Sequence, residues 1–293
     1  MNVLNNEVNE QTPTAPESKE VKAYKRINRR RRIQVNILRV LIFVILIGGW
    51  ELLTRVGPPV IDPFFWGQPS GIWNQIVTWV TQGTAQGPLL EQIAVTLEEA
   101  ILGFAIGSVL GVIFGVVLGR NRYLSDILGP YVKALNSIPR VALAPLFAVG
   151  LGLGMQSKVA LAAVLVFFIV FFNAFQGVRE VDRNLLANAR ILGASPSRVT
   201  TSVILPSALT WIFASLHTSF SFALVGAVVG EYVGAIQGIG LMIQTAGANF
   251  NANGVFAAMV LLAAIALISE ALITALERRL LRWRPSAVVE ATI

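Results

Sequence analysis

The stretch VREVDRNLLANARILGASPSRVTTSVILP, from Val178 to Pro206, separates two long apolar runs, and the fold is read outward from it. At about 29 residues it is too long for a plain connector between helices. Leu185, Leu186, Ala189 and Leu192 recur at helical spacing and give one apolar stripe. Gly193 ends that helix and is expected to take a positive φ there, which a side chain resists. Pro196 permits a second helix to begin, and Pro206 marks the start of the next apolar run. A short amphipathic helix in such a place needs a partner groove or a bilayer surface to cover its leucines.

The flanking runs are two of six. They lie at about 37–56, 94–119, 132–153, 159–177, 208–232 and 254–276. About 20 apolar residues span the hydrocarbon of a bilayer as a helix, and lipid requires every backbone polar group to be satisfied within the element. The chain has 55% hydrophobic and only 13% charged residues, too little charge to cover a soluble surface of this length. The fold class is therefore an all-α membrane protein with about six transmembrane helices. Pro139, Arg140 and Pro145 interrupt the third run, which proline inside a membrane helix can do where neighbours re-satisfy the freed carbonyls.

Charge sets the orientation. Of the 23 Lys and Arg, an N-terminus placed in the cytoplasm leaves only Arg55 and Lys158 on the outside. That bias supports six crossings with both termini cytoplasmic, and it explains a net charge of +7 without nucleic acid. The domain reading is a disordered basic segment over 1–36, the first helix over 37–56 and an external loop over 57–93. A membrane core follows over 94–276, with its cytoplasmic loop at 178–206, and then a basic tail over 277–293. A cleaved signal peptide does not fit the long lead and the lack of a small-residue site before Gly57. In the external loop, Ser70 is expected to cap an interfacial helix carrying Ile72, Trp73, Ile76, Val77 and Val80. Trp66, Trp73 and Trp79 suit the membrane–water boundary.

No cysteine and a single histidine, His217, exclude disulfides, thiolate chemistry and multi-histidine metal sites. No catalytic or metal site is expected. Glycine recurs every fourth residue at Gly103, Gly107, Gly111, Gly115 and Gly119, and again at Gly226, Gly230, Gly234 and Gly238. Such stripes let helix backbones approach closely, either as fixed packing or as surfaces that slide. His217, Ser221, Leu224, Val228 and Glu231 share one helix face, its polar ends about 21 Å apart. With Pro139 they are the candidates for a translocation path: a polar–apolar–polar stripe suits a pore wall with a dry constriction. The other reading is a histidine bonded to a neighbouring helix and a glutamate near the outer interface. Glu98 and Glu99 at the start of the second run suit a helix N-terminus.

The loop resembles the signature segment of binding-protein-dependent ABC importer permeases, the MetI-like type I fold. The family pattern is Glu-Ala-Ala, three residues, Gly, nine residues, Ile, one residue, Leu-Pro. Ala187, Asn188 and Ala189 stand at the first three places, then Gly193, Val203 and Leu205-Pro206, with alanine in place of the glutamate and asparagine in place of an alanine. Further stretches resemble the nitrate/sulfonate/taurine branch: Trp50-Glu-Leu-Leu, Thr96-Leu97 with Gly103-Phe104, Ile138 to Leu146, Gly152 with Gln156-Ser-Lys158, Val229-Gly-Glu231, Gly238-Ile-Gly240 and Glu277-Arg278. That branch commonly carries arginine where Glu99 stands, so any ion pair there must differ.

The resemblance implies a permease subunit of the bacterial inner membrane that transports a small solute such as nitrate, bicarbonate, a sulfonate, taurine or a small heterocycle. It implies a homodimer, two ATPase subunits that hold ATP and Mg, and an external substrate-binding protein. It also implies that Leu185, Leu186, Ala187, Asn188, Ala189, Arg190, Leu192, Gly193, Ala194, Leu205 and Pro206 couple the chain to the ATPase. The sequence contains no Gly-Lys pair, hence no Walker A loop to cradle phosphates and no cofactor in this chain. Two other classes stay open: a six-helix secondary transporter or channel, which predicts a midplane site of broken helices, and an intramembrane serine protease, for which His217 lacks a Gly-x-Ser-Gly partner.

Overall fold

The computed structural model describes residues 19–55 and 62–280, and every element in it is helical. The chain divides into a unit up to residue 60 and a unit from residue 61. The first unit is α1 (Lys19–Arg55). Its apolar part is exposed on all sides, Val40, Phe43 and Leu46 each above 60%, which suits lipid or other helices. The disordered segment expected through residue 36 is corrected over 19–36, where α1 is already helical. Lys, Arg, Glu and Gln are good helix formers, and neither Gly nor Pro interrupts before Gly48. Residues 1–18, 56–61 and 281–293, where the rest of that segment, part of the external loop and most of the basic tail were placed, lie outside the described residues.

The second unit opens with α2 (Pro63–Trp66) and α3 (Pro69–Gln82), which pack on the closing helix α12 (Ala252–Leu280). Asn253 accepts the Gln68 N–H at 2.8 Å, and Asn251 meets Gln75 at 3.3 Å. Gln68, not Ser70, is the N-cap, because Pro69 takes the first helical position, where its missing N–H costs nothing. Trp66 and Trp73 are exposed as expected of interfacial rings, but Trp79 is buried.

The centre is made by α4 (Leu89–Arg120), α7 (Met155–Arg179) and α10 (Leu205–Val233). The glycine stripe of α4 lies against the α7 backbone. A Cβ on Gly107 would stand 2.5 Å from the Ala163 carbonyl oxygen, and one on Gly115 2.7 Å from that of Phe171. α10 uses its own stripe on the other side of α7: a Cβ on Gly226 would meet Ala162 Cα at 2.5 Å. Gly238 does not continue that stripe, since α10 ends at Val233 and the chain turns before α11 (Ile239–Ala248).

These contacts fix direction. From Gly103 to Gly119 the partners on α7 advance from Val159 to Val178, so α4 and α7 run parallel. From Gly226 to Gly234 the partners retreat from Ala162 to Leu153, so α10 runs back. Parallel α4 and α7 require the intervening chain to cross in the opposite sense. It does so as a broken span, α5 (Arg122–Ser137) and α6 (Ala144–Leu151), bent by 81°. Ile138, ahead of Pro139, is pushed to an extended conformation (φ −69°, ψ 131°), which breaks the helix there. With this pair counted as one, six spans among the described residues are long and apolar enough to cross a membrane. The third span therefore starts ten residues earlier than its apolar run.

Replacing Gly107 with leucine should force α4 off α7 and lower the thermal midpoint of the detergent-solubilised protein, an overpacking cost of about 1–3 kcal/mol. Gly150→Ala, where nothing lies within 4 Å, should leave it unchanged or raise it. Equal midpoints for both variants would show that the stripe is not a close contact.

Candidate functional site

The loop between α7 and α10 folds as α8 (Arg183–Ile191), α9 (Pro196–Val199) and a π turn over Thr200–Ile204 that runs directly into α10. Asp182 caps α8 by accepting the Asn184 N–H at 2.8 Å. Gly193 takes φ +78° and closes the helix, with the Ala194 N–H donating to the Ala189 carbonyl at 3.0 Å. The helical rod of α10 begins at Pro196 rather than Pro206, because Pro206 sits in the first turn of α10 proper, where a proline does not interrupt.

The leucine stripe is divided by the fold. Leu186, Ala189 and Ala194 turn inward onto Val178, Val199 and Ile204, which fastens α8 to the body of the protein. Leu185 at 52%, Ile191 at 82% and Leu192 at 85% face outward. The expectation that Leu186 and Ala189 belong to the exposed face is thus corrected. Ile191 was missed, although its place one residue before Leu192 puts it on the outward side once Leu186 and Ala189 are fixed inward. Ala187, Asn188 and Arg190 are exposed, as is Pro206, while Leu205 is half-buried.

The α10 face separates as well. Ser221, Leu224 and Val228 line a cavity of about 470 Å³ against Leu262, Ala263 and Ala266 of α12. One end of this stretch carries His217, whose Nδ1 stands 2.7 Å from Glu270 Oε1 on α12. Glu270 was not singled out; a lone carboxylate inside the sixth apolar run was the available signal. Pro139 is exposed at the bend between α5 and α6 and does not line this cavity.

Glu231 leaves this face and is corrected as a wall residue: it is fully buried, and it holds α11. Its Oε1 accepts from Thr96 Oγ1 at 2.7 Å and its Oε2 from the Gly240 N–H at 2.6 Å. Thr96 Oγ1 in turn accepts the Ile239 N–H at 2.9 Å, and Gln92 Oε1 accepts the Gly238 N–H at 2.8 Å. Three successive N–H groups at the start of α11, which no helix can satisfy internally, are thereby captured by three side chains. A carboxylate at a helix N-terminus is also favoured by the helix dipole. Glycine is required here: a Cβ on Gly238 (φ +110°) would stand 2.1 Å from Glu231 Oε1, and one on Gly240 2.3 Å from the Val228 carbonyl.

Glu99 adjoins Glu231, with Lys158 beside both. Its Oε2 is buried without a hydrogen-bond partner among the described residues. Lys158 is 1% exposed and donates to the Gly154 carbonyl at 3.0 Å and to the Leu153 carbonyl. Two expectations change: Lys158 is interior rather than in an outer loop, and Glu98 and Glu99 lie three turns inside α4, beyond the reach of its N-terminal dipole. Gln92, Thr96 and Glu99, at i, i+4 and i+7, were the readable sign of a polar stripe on an apolar helix. No group of three or more His, Cys, Asp or Glu among the described residues could hold a metal ion.

Thr96→Val should leave Glu231 and the Ile239 N–H short of partners and lower stability by about 1–3 kcal/mol, read as a lower thermal midpoint, while Thr96→Ser keeps the wild-type value. Equal loss in both variants would count against the anchor.

Comparison with known proteins agrees with this architecture. The family described as binding-protein-dependent transport system inner membrane component matches residues 107–282. A Bacillus subtilis protein provisionally named aliphatic sulfonates transport permease protein SsuC is 34% identical over 68% of this chain and 72% of its own length. The taurine transport system permease protein TauC of Escherichia coli is 29% identical over 88% of this chain and 91% of its own. Among solved structures, a chain of the inward-facing MetNI methionine ABC transporter superposes with a TM-score of 0.52 at 25% identity, covering 66% of this chain and 93% of that one. The secondary-transporter and protease readings fall away. The chain belongs to the binding-protein-dependent transport system inner membrane components: it is a multi-pass, MetI-like permease of an ABC importer, a family without an ATP site of its own.

Proposed function

We propose that two copies of this chain form the translocation path of an importer for small sulfonates of the taurine type. An external binding protein delivers the solute, and two cytoplasmic ATPase subunits hold ATP and Mg and drive the cycle. The names of the sulfonate and taurine relatives support the substrate class. The family description and the bacterial relatives support an inner-membrane location, and the Lys/Arg bias supports both termini in the cytoplasm.

The observation that carries this reading is the outward face of α8. Leu185 and Ile191 on α8 and Leu192 at its C-cap are three large apolar side chains exposed in the single chain. Buried in a groove of the ATPase, each would contribute about 2 kcal/mol. The inward face transmits the motion: Leu186 and Ala189 press on the junction of α7 and α10, so displacement of α8 reaches both helices together. A different reading, α8 lying on the anionic inner leaflet with Arg190 and Arg198, is separated from this one in detergent, where no leaflet exists.

Leu192→Asp should reduce ATPase copurification in detergent by at least about tenfold, since it removes an apolar contact and buries a charge. Leu186→Asp should retain less binding-protein-stimulated ATP hydrolysis by loosening α8 from the membrane helices. Normal ATPase retention and normal stimulated hydrolysis in both would refute coupling through this helix. Selectivity should follow the binding protein, because the cavity lined by Ser221, Leu224 and Val228 offers a solute no Lys or Arg. Exchanging the binding protein for that of a relative with another cargo should shift the transported range in reconstituted vesicles; an unchanged range would place the selectivity in the permease.

A further inference from the structure

α5 packs on α4, and its Ser125 accepts a hydrogen bond from Arg179 of α7. Between α5 and α7 lies a cavity of about 560 Å³, a size ordinary for a ligand site. Phe171, Phe172 and Phe175 on α7 give it an aromatic lining. Arg179 on α7 and Lys133 and Asp126 on α5 give it a charged one. Arg179, the last residue of α7, is pre-set: its Nη2 donates to Ser125 Oγ at 2.9 Å, and its guanidinium carbon stands 4.4 Å from the Phe175 ring centroid. That leaves further N–H donors of the guanidinium for a ligand. Phe171 lies two turns earlier along the same helix, about 12 Å from the level of Arg179.

We infer that this cavity holds one anionic phospholipid of the cytoplasmic leaflet. Its phosphate sits on Arg179 and Lys133, and its glycerol and first acyl carbons lie on the three phenylalanine rings. An amphiphile uses both the cationic and the aromatic lining, whereas a free anion would leave the rings uncovered. The arginines of the same end, Arg120 closing α4 and Arg122 opening α5, add attraction to an anionic head. Asp126 works against it and sets how tightly the head is held. The lipid completes the packing of α5 against α7, so that α5, bent away from α6 at Pro139, rests on a fixed support. The placement in the inner leaflet rests on the orientation proposed above; the site itself rests on the cavity and its side chains.

The test uses the full-length permease with its ATPase subunits, stripped of lipid in a mild detergent. It is then supplied with phosphatidylglycerol, phosphatidylcholine or inorganic phosphate, and binding is read by native mass spectrometry and by the shift in thermal midpoint. Phosphatidylglycerol should bind in one tight copy per permease chain and raise the midpoint, while phosphatidylcholine and phosphate leave it in place. Lys133→Gln should weaken phosphatidylglycerol about fivefold, the factor carried by one basic side chain at a membrane surface. Arg179→Gln should weaken it at least as much, and Asp126→Asn should tighten it. Should Arg179→Gln fail to fold, the two α5 variants still decide. Unchanged affinity in Lys133→Gln, or an equal shift with phosphatidylcholine, would overturn the proposal. So would full displacement of the lipid by phosphate, which would mark a free-anion site.

Discussion

The missing side chains along one edge of α4 are the constraint on which the rest of the unit from residue 61 depends. In lipid, helices gain nothing by hiding apolar surface from one another, so association rests on close packing and interhelical hydrogen bonds. From Gly103 to Gly119 the α4 backbone approaches α7 to a distance at which any Cβ would collide with a carbonyl oxygen or a neighbouring Cβ. α10 repeats the device against the other side of α7, and Ala162 lies between Gly103 and Gly226. Three helices are thereby fixed in direction and register, and the broken crossing of α5 and α6 follows from their being parallel or antiparallel.

Onto that centre the chain fastens its less regular parts by polar contacts. Glu231, Thr96 and Gln92 receive the N-terminal backbone of α11, which returns the chain toward α12. Asn253 receives the Gln68 N–H at the start of α3 in the same manner, and Asn251 donates to the Gln75 side chain. The backbone groups so held are helix ends whose N–H groups would be costly to leave unsatisfied. α8, by contrast, is fastened through apolar contacts on one side, and Leu185 and Ile191 on it and Leu192 at its end are exposed.

Much of this was legible in the residues. Long apolar runs, the arginine bias and the spacing from Ala187 to Pro206 carried the membrane class and the family. The glycine period carried the close helix contacts, and Gly193 its positive φ. Other features were misread for physical reasons. Hydropathy marks the apolar part of a helix but not its ends, so α4, α5 and α10 all begin before their apolar runs. A helical wheel places Glu231 with Ser221 and Val228, yet a small rotation around the helix is enough to carry it from an open groove into the interior. The stripe on α8 was seen, but not which half of it the protein itself would cover.

The sequence by itself determined the number and order of the membrane helices, the positions where backbones could touch, and the family of transport proteins to which the chain belongs. These properties are written in local composition and period, which one segment carries without reference to another. Only the tertiary structure decided that Glu231 is an anchor, that Lys158 and Glu99 lie beside it, that His217 meets Glu270, and that Ile191 and Leu192 face outward. Each of these depends on residues from 53 to 146 positions apart, or on which side of a helix a neighbour happens to cover. A carboxylate in an apolar run announces that it needs a partner; which partner it finds is settled by the packing of the glycine edges that bring the helices together.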